Sequence, residues 1–163
     1  MTIVNQSKIN NDEQVNNMRS AIEHRATWFY LLLDEAKKRG LDWNDFGRAA
    51  ILRCGCFHGN VKFSNDGDMK KFASEFSNEL FTKIFEMDVK EVTEDRFVVD
   101  FHYCPLVAAW KKQNVSDAEI DNLCDIAMDG DRGIVSVMPG FEMALEDTIA
   151  KGGTGCRIVI TKK

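Results

Sequence analysis

The feature that most constrains this chain is a change of hydrophobic period near residue 88. Up to that point apolar residues recur every three to four positions; directly after it they alternate. Val15, Met18, Ile22, Phe29, Leu33 and Ala36 follow helical spacing and predict a long first helix ending near Gly40. Asp42 is placed to cap a second helix, with Trp43, Phe46, Ala50, Ile51 and Cys54 as its expected buried stripe. The following "CGCFHGNVKFSNDGD" reads as a loop, because glycines stand at 55, 59 and 67. A third helix is expected to carry Met69, Phe72, Phe76, Leu80 and Ile84.

After Asp88, "VKEVTEDRFVVDFHYC" predicts two strands turning near Glu94-Asp95. In the second, Phe97, Val99, Phe101 and Tyr103 share an apolar face, while Val98, Asp100, His102 and Cys104 share the other. "SDAE" at 116–119 is a capping box, and the helix it opens buries Ile120, Leu123, Cys124, Ala127 and Met128. "DGDRG" at 129–133 is expected to interrupt that helix. The stretch 141–150 fits a strand better than a helix, and with Cys156, Ile158 and Ile160 it forms a hairpin across a glycine-rich turn. The sum is an α+β fold: N-terminal helices, then a small antiparallel sheet with one or two inserted helices. With 163 residues and no internal linker, one domain is expected over 1–163, with 1–12 a flexible N-terminal tail.

Composition excludes several classes of function. A net charge of −5 without a basic block argues against nucleic acid as a partner. No apolar run approaches the roughly 20 residues needed to span a bilayer, and the polar N-terminus lacks a signal-peptide layout. A cytoplasmic protein is expected, and there five cysteines stay reduced. They are then core filler, metal ligands or reactive thiols.

Asp100, His102 and Cys104 form the first candidate site. An imidazole can take a thiol proton, and a carboxylate can orient the imidazole. The alternative is a solvated Asp100, a His102 bonded to backbone and a space-filling Cys104. His102, Cys104, Cys124 and Cys156 would together suit soft tetrahedral metal ligation, although no Cys-x-x-Cys pair is present. Cys54, Cys56 and His58 form a closer set whose bland reading is a helix end. In "DGDRG", Asp131 offers a carboxylate and Arg132 a planar cation suited to a substrate carboxylate; the plain alternative is a helix break whose charges pair locally. His24 is taken as structural. The apolar stripes leave room for a homo-oligomer face without identifying it.

The runs "FHYCPLVAAWKK", "IDNLCDIAMDGDRGI" and "GGTGCRIVI" together resemble the L-2-amino-thiazoline-4-carboxylic acid hydrolase family over roughly residues 97–160. The turn before Cys156 departs from the family, with Gly-Gly-Thr-Gly where an acidic residue is frequent. The resemblance implies hydrolytic opening of a small cyclic amidine to a carbamoylated cysteine. It points to Cys104, His102 and Asp131 as catalytic residues and to Arg132, Cys124 and Cys156 as substrate-binding ones. Cofactor and metal stay open, and the partner is a small-molecule substrate. The competing expectation is a non-catalytic small-ligand or metal-binding module built on Cys104, Cys124 and Cys156.

Overall fold

A computed structural model describes residues 2–163. Helix α1 spans Glu13–Lys38, capped by Asp12, whose carboxylate accepts the Val15 N–H, and the chain turns at Gly40 with φ +72°. Helix α2 runs Trp43–Lys62, with Asp42 accepting the N–H groups of Asn44 and Asp45. Thus "CGCFHGNVK" is helical rather than a loop. The reason is packing. A Cβ at Gly55 would lie 2.1 Å from the Gly130 carbonyl oxygen, so another helix presses directly on this backbone. The glycines here are an interface, not a break.

The same contact shifts the expected stripe of α2, of which Trp43 and Ile51 pack half-buried against the core as expected. Its buried residues are Gly47, Gly55 and Gly59, whereas Phe46, Ala50 and Cys54 face outward. The expected third helix is two: α3, Met69–Phe76, and α4, Glu79–Phe85. Asn78 separates them by capping α4 through the Phe81 N–H.

The sheet consists of β1 (Met87–Val92), β2 (Arg96–Phe101), β3 (Phe141–Asp147) and β4 (Cys156–Lys162), in the antiparallel order β1-β2-β4-β3. The turn at 93–95 and the 141–147 strand fall where alternation predicts them. Between β2 and β3 lie α5 (Pro105–Lys112), α6 (Asp117–Ala127) and α7 (Asp129–Ser136). "DGDRG" is therefore the first turn of α7; the break is the single residue Met128. Ser116 accepts the Glu119 N–H as the capping box requires, but the Glu119 carboxylate reaches Lys37 instead of returning to the cap.

Two apolar clusters hold these layers together. In one, Phe97, Val99, Ile158 and Ile160 pack against Met69, Phe72, Phe76 and Met138. In the other, Val107, Trp110, Ile120, Leu123 and Ile126 gather around Ala26 and Leu33 of α1. Trp110 is fully buried and donates its indole N–H to the Ala26 carbonyl, 3.0 Å away, which ties α5 to α1.

The N-terminal segment, expected as a flexible tail, is docked. Ile3 is buried in the second cluster. Buried Arg19 donates to Ser7 Oγ, the Ile9 and Ile84 carbonyls and Glu86 Oε1. Glu86 also accepts the N–H groups of Lys8 and Ile9. Burial pushes the Glu86 carboxyl up, but these donors outweigh it and hold the group below its ordinary value. Among the described residues, no helix is long and apolar enough to cross a membrane.

Candidate functional site

Strand β2 ends at Phe101, because the next two N–H groups turn toward α4: His102 to the Glu86 carbonyl and Tyr103 to that of Phe85. Pro105 then starts α5, leaving Cys104 as its extended N-cap with φ −132°. The alternation that would align Asp100, His102 and Cys104 is broken before it reaches the cysteine. Asp100 is instead held by Arg157, its cross-strand neighbour, through two hydrogen bonds of 2.7 Å. Those bonds hold its carboxyl below the ordinary range. His102 packs beside Gly155 and lines a small surface pocket of about 280 Å³ with Lys8, Ile9 and Glu86. No cysteine lines it.

The three other cysteine-bearing segments do converge. Cys124 on α6 and Cys156 at the head of β4 are buried in one cluster, with Cys104 packed against it. Register explains Cys156: it pairs with Phe101, at the end of the sheet where β2 leaves for α5. Its sulfur accepts the Ile149 N–H at 3.3 Å. All three sulfurs are free thiols. Burial pushes Cys156 up to about 12 and Cys124 well above its ordinary value. Burial raises Cys104 too, but the N–H groups of Val107 and Leu106 at the start of α5 oppose that rise. They do so without a full capping hydrogen bond. Two hydrogen bonds from Asn5 fix the Cys104 backbone: Nδ2 to the carbonyl at 2.8 Å, and the Cys104 N–H to Oδ1 at 2.9 Å.

The first turn of α7 sends its charges in two directions. Asp129 and Arg132, three apart, lie on the α2 side, where Arg132 pairs with Asp125 and Asp129 at 2.7 and 2.6 Å and Arg48 joins them. Arg132 is thereby occupied, and it also lines an open depression of about 660 Å³ along β3 that none of the cysteines touches. Asp131 points elsewhere. It makes no ion pair with any described residue, and burial raises its carboxyl to about 6. Its charge raises both the Cys104 and the Cys156 thiols, so it lies within electrostatic reach of both. The structure thus gathers Cys104, Cys124 and Cys156, with Asp131 within electrostatic reach of Cys104 and Cys156, and leaves His102 and Arg132 outside.

A carboxyl near 6 within electrostatic reach of a thiol at a helix start can take and return a proton, since both of its forms are populated around that pH. Among the described residues, no group of three His, Cys, Asp or Glu side chains is placed to hold a metal ion. Cys54 is exposed, Cys56 lies 3.6 Å from Ser136 Oγ, and His58 leaves its Nδ1 buried without a partner. They do not combine into a site.

Two residues of the site escape the sequence. Arg25, on α1, lowers both the Cys104 and the Asp131 values through its charge and has no ionic partner among the described residues. Asn5 lies 99 positions from its partner Cys104. Neither belongs to a local motif, and only tertiary packing brings them in.

Comparison with known proteins adds two findings. The family model described as L-2-amino-thiazoline-4-carboxylic acid hydrolase matches residues 19–160. No curated protein matches. Among solved structures, the fold resembles a trafficking protein particle complex subunit 3 from Naegleria fowleri covalently bound to palmitic acid. The TM-score is 0.59 and the identity 14%, over 86% of this chain and 94% of that one. At that identity the likeness concerns the fold alone.

Proposed function

Because the chain belongs to the L-2-amino-thiazoline-4-carboxylic acid hydrolase family, we propose that it is a hydrolase opening a small cyclic amidine of the 2-amino-thiazoline-4-carboxylate type. Cys104 is the nucleophile and Asp131 the proton carrier. The observation that carries this reading is Asp131, a carboxyl raised to about 6 by burial, whose charge reaches the Cys104 thiol at the start of α5.

The steps balance as follows. Asp131 takes the Cys104 proton, and the thiolate adds to the amidine carbon. The bond from that carbon to the ring sulfur breaks, and Asp131 returns its proton to the departing sulfur. This leaves the opened substrate joined to Cys104 as an isothiourea. Water then attacks the same carbon and gives up its proton through Asp131 to the Cys104 sulfur as that sulfur leaves. The product is a urea, the carbamoylated amino acid. Arg25 takes the substrate carboxylate in place of the ion-paired Arg132, and Cys124 and Cys156 line the apolar side. The helix-start N–H groups favour the thiolate as it forms. We take the compartment to be the cytoplasm, where all five thiols persist.

A second reading is supported by the apolar surroundings of the cysteines and by the palmitic acid on the structural relative: a non-catalytic module holding an apolar ligand at the same thiols. Incubation with 2-amino-thiazoline-4-carboxylate separates the two. The hydrolase reading expects ring opening that is lost in Cys104→Ser and Asp131→Asn. No turnover by the wild-type protein, with an acyl chain found on a purified cysteine, would support the module instead.

A further inference from the structure

The strongest feature outside the cysteine site is the outer face of α1 and α2. Trp28, Leu31 and Leu32 on α1, and Phe46, Phe57 and Val61 on α2, are each 46–66% exposed. Positions 46, 50, 57 and 61 recur on one side of α2, and 21, 28 and 32 on one side of α1, so each helix turns apolar side chains outward. The two helices are consecutive in the chain and touch where Leu33 meets Gly47. Neither helix has been stripped from the body to expose these side chains. α1 buries Ala26 and Leu33 on its inner side, and α2 buries its glycines against α7.

We propose that this face is the interface of a homodimer in which α1 and α2 of two copies pack as a four-helix layer. Area supports it. At about 150–250 Å² for a whole aromatic side chain, the six residues leave on the order of 600 Å² of apolar surface in water, the upper limit for a monomer. A standard interface takes roughly 800 Å² from each partner.

Charge selects a second copy over a lipid surface. An interfacial membrane helix borders its apolar face with Lys and Arg. Here the border mixes signs, with Arg53 alongside Glu35, and the chain as a whole carries −5. A mixed border suits the self-matching contact of a twofold axis, in which every residue meets the same surface on the copy. His24, stacked edge-on to Trp28 with ring centroids 5.6 Å apart, lies within the same face.

Sedimentation of the full-length protein at micromolar concentration tests this directly. The expected mass is twice 18.5 kDa, falling to one chain in Trp28→Glu/Phe57→Glu with far-UV circular dichroism unchanged. Iodide quenching gives an independent readout, because Trp110 is fully buried and Trp28 is mostly exposed within one chain. In a Trp43→Phe background, which removes the half-buried third tryptophan, the dimer should show little quenching, because Trp28 is covered and Trp110 is buried. A monomer at tens of micromolar, a dimer that survives both charged substitutions, or a freely quenched Trp28 would overturn the proposal. So would a monomer that instead sediments with phosphatidylcholine–phosphatidylglycerol vesicles.

Discussion

Replacing Asp131 by Asn should make the protein more stable and less active, and the size of the first effect follows from one group. Burial carries this carboxyl from an ordinary 3.8 to about 6, so its ionisation costs the folded state about 3 kcal/mol more than the unfolded chain. The folded form binds the proton more tightly. Its contribution is therefore fully present below pH 4 and is lost as pH rises through about 6. Asn cannot ionise, and it keeps the shape of the protonated acid. At pH 8 the variant should melt about 6–12 °C higher than wild type; at pH 4 the two should coincide. Other carboxyls titrate identically in both proteins and cancel in the difference. Thermal unfolding at the two pH values is the assay. An equal shift at both, or a less stable variant at pH 8, would refute the assignment of Asp131 as a half-buried, unpaired acid. The same substitution should cost about 10²–10⁴-fold in ring opening, the usual scale for a general base.

Further outcomes can be checked separately. Wild-type kcat/KM should fall below pH about 6, where Asp131 is protonated, and a pH–rate profile reads it. Gly133→Ala would place a Cβ 2.4 Å from the Leu52 carbonyl oxygen and force α2 from α7; urea unfolding should show a loss of about 1–3 kcal/mol or more. Arg19→Met would leave Glu86 buried without its cation, a cost of about 3–5 kcal/mol by the same assay. Thiol labelling of the native protein should mark the exposed Cys54 and the half-buried Cys104 ahead of Cys124 and Cys156, which stay slow until unfolding.

The α+β class was legible in the sequence because the change of period near residue 88 is a local signal, as are the caps at Asp42 and Ser116. What misled was glycine. At 55, 59, 130 and 133 it reads as a loop or a break, yet it serves close helix contact, and only the partner helix reveals that. The inverted burial of Phe46 and Ala50 follows from the same error, since the packed side of α2 carries almost no side chains. Cys104, Cys124, Cys156 and Asp131 were named through a family resemblance rather than by spacing. The Asp100–His102–Cys104 alignment assumed a strand that stops at Phe101, whereas the occupied state of Arg132 follows the plain alternative of charges pairing locally, with Asp129 three and Asp125 seven positions away. Arg25 carried no signal at all.

The most direct test of the central claim is the intact mass of the protein quenched in acid milliseconds after mixing with excess 2-amino-thiazoline-4-carboxylate. Nucleophilic ring opening transfers the whole substrate to sulfur. The account predicts a transient species heavier by one substrate molecule, with the adduct on Cys104 after digestion and none in Cys104→Ser. Ring opening at an undiminished rate in Cys104→Ser, with no adduct on any cysteine, would contradict it.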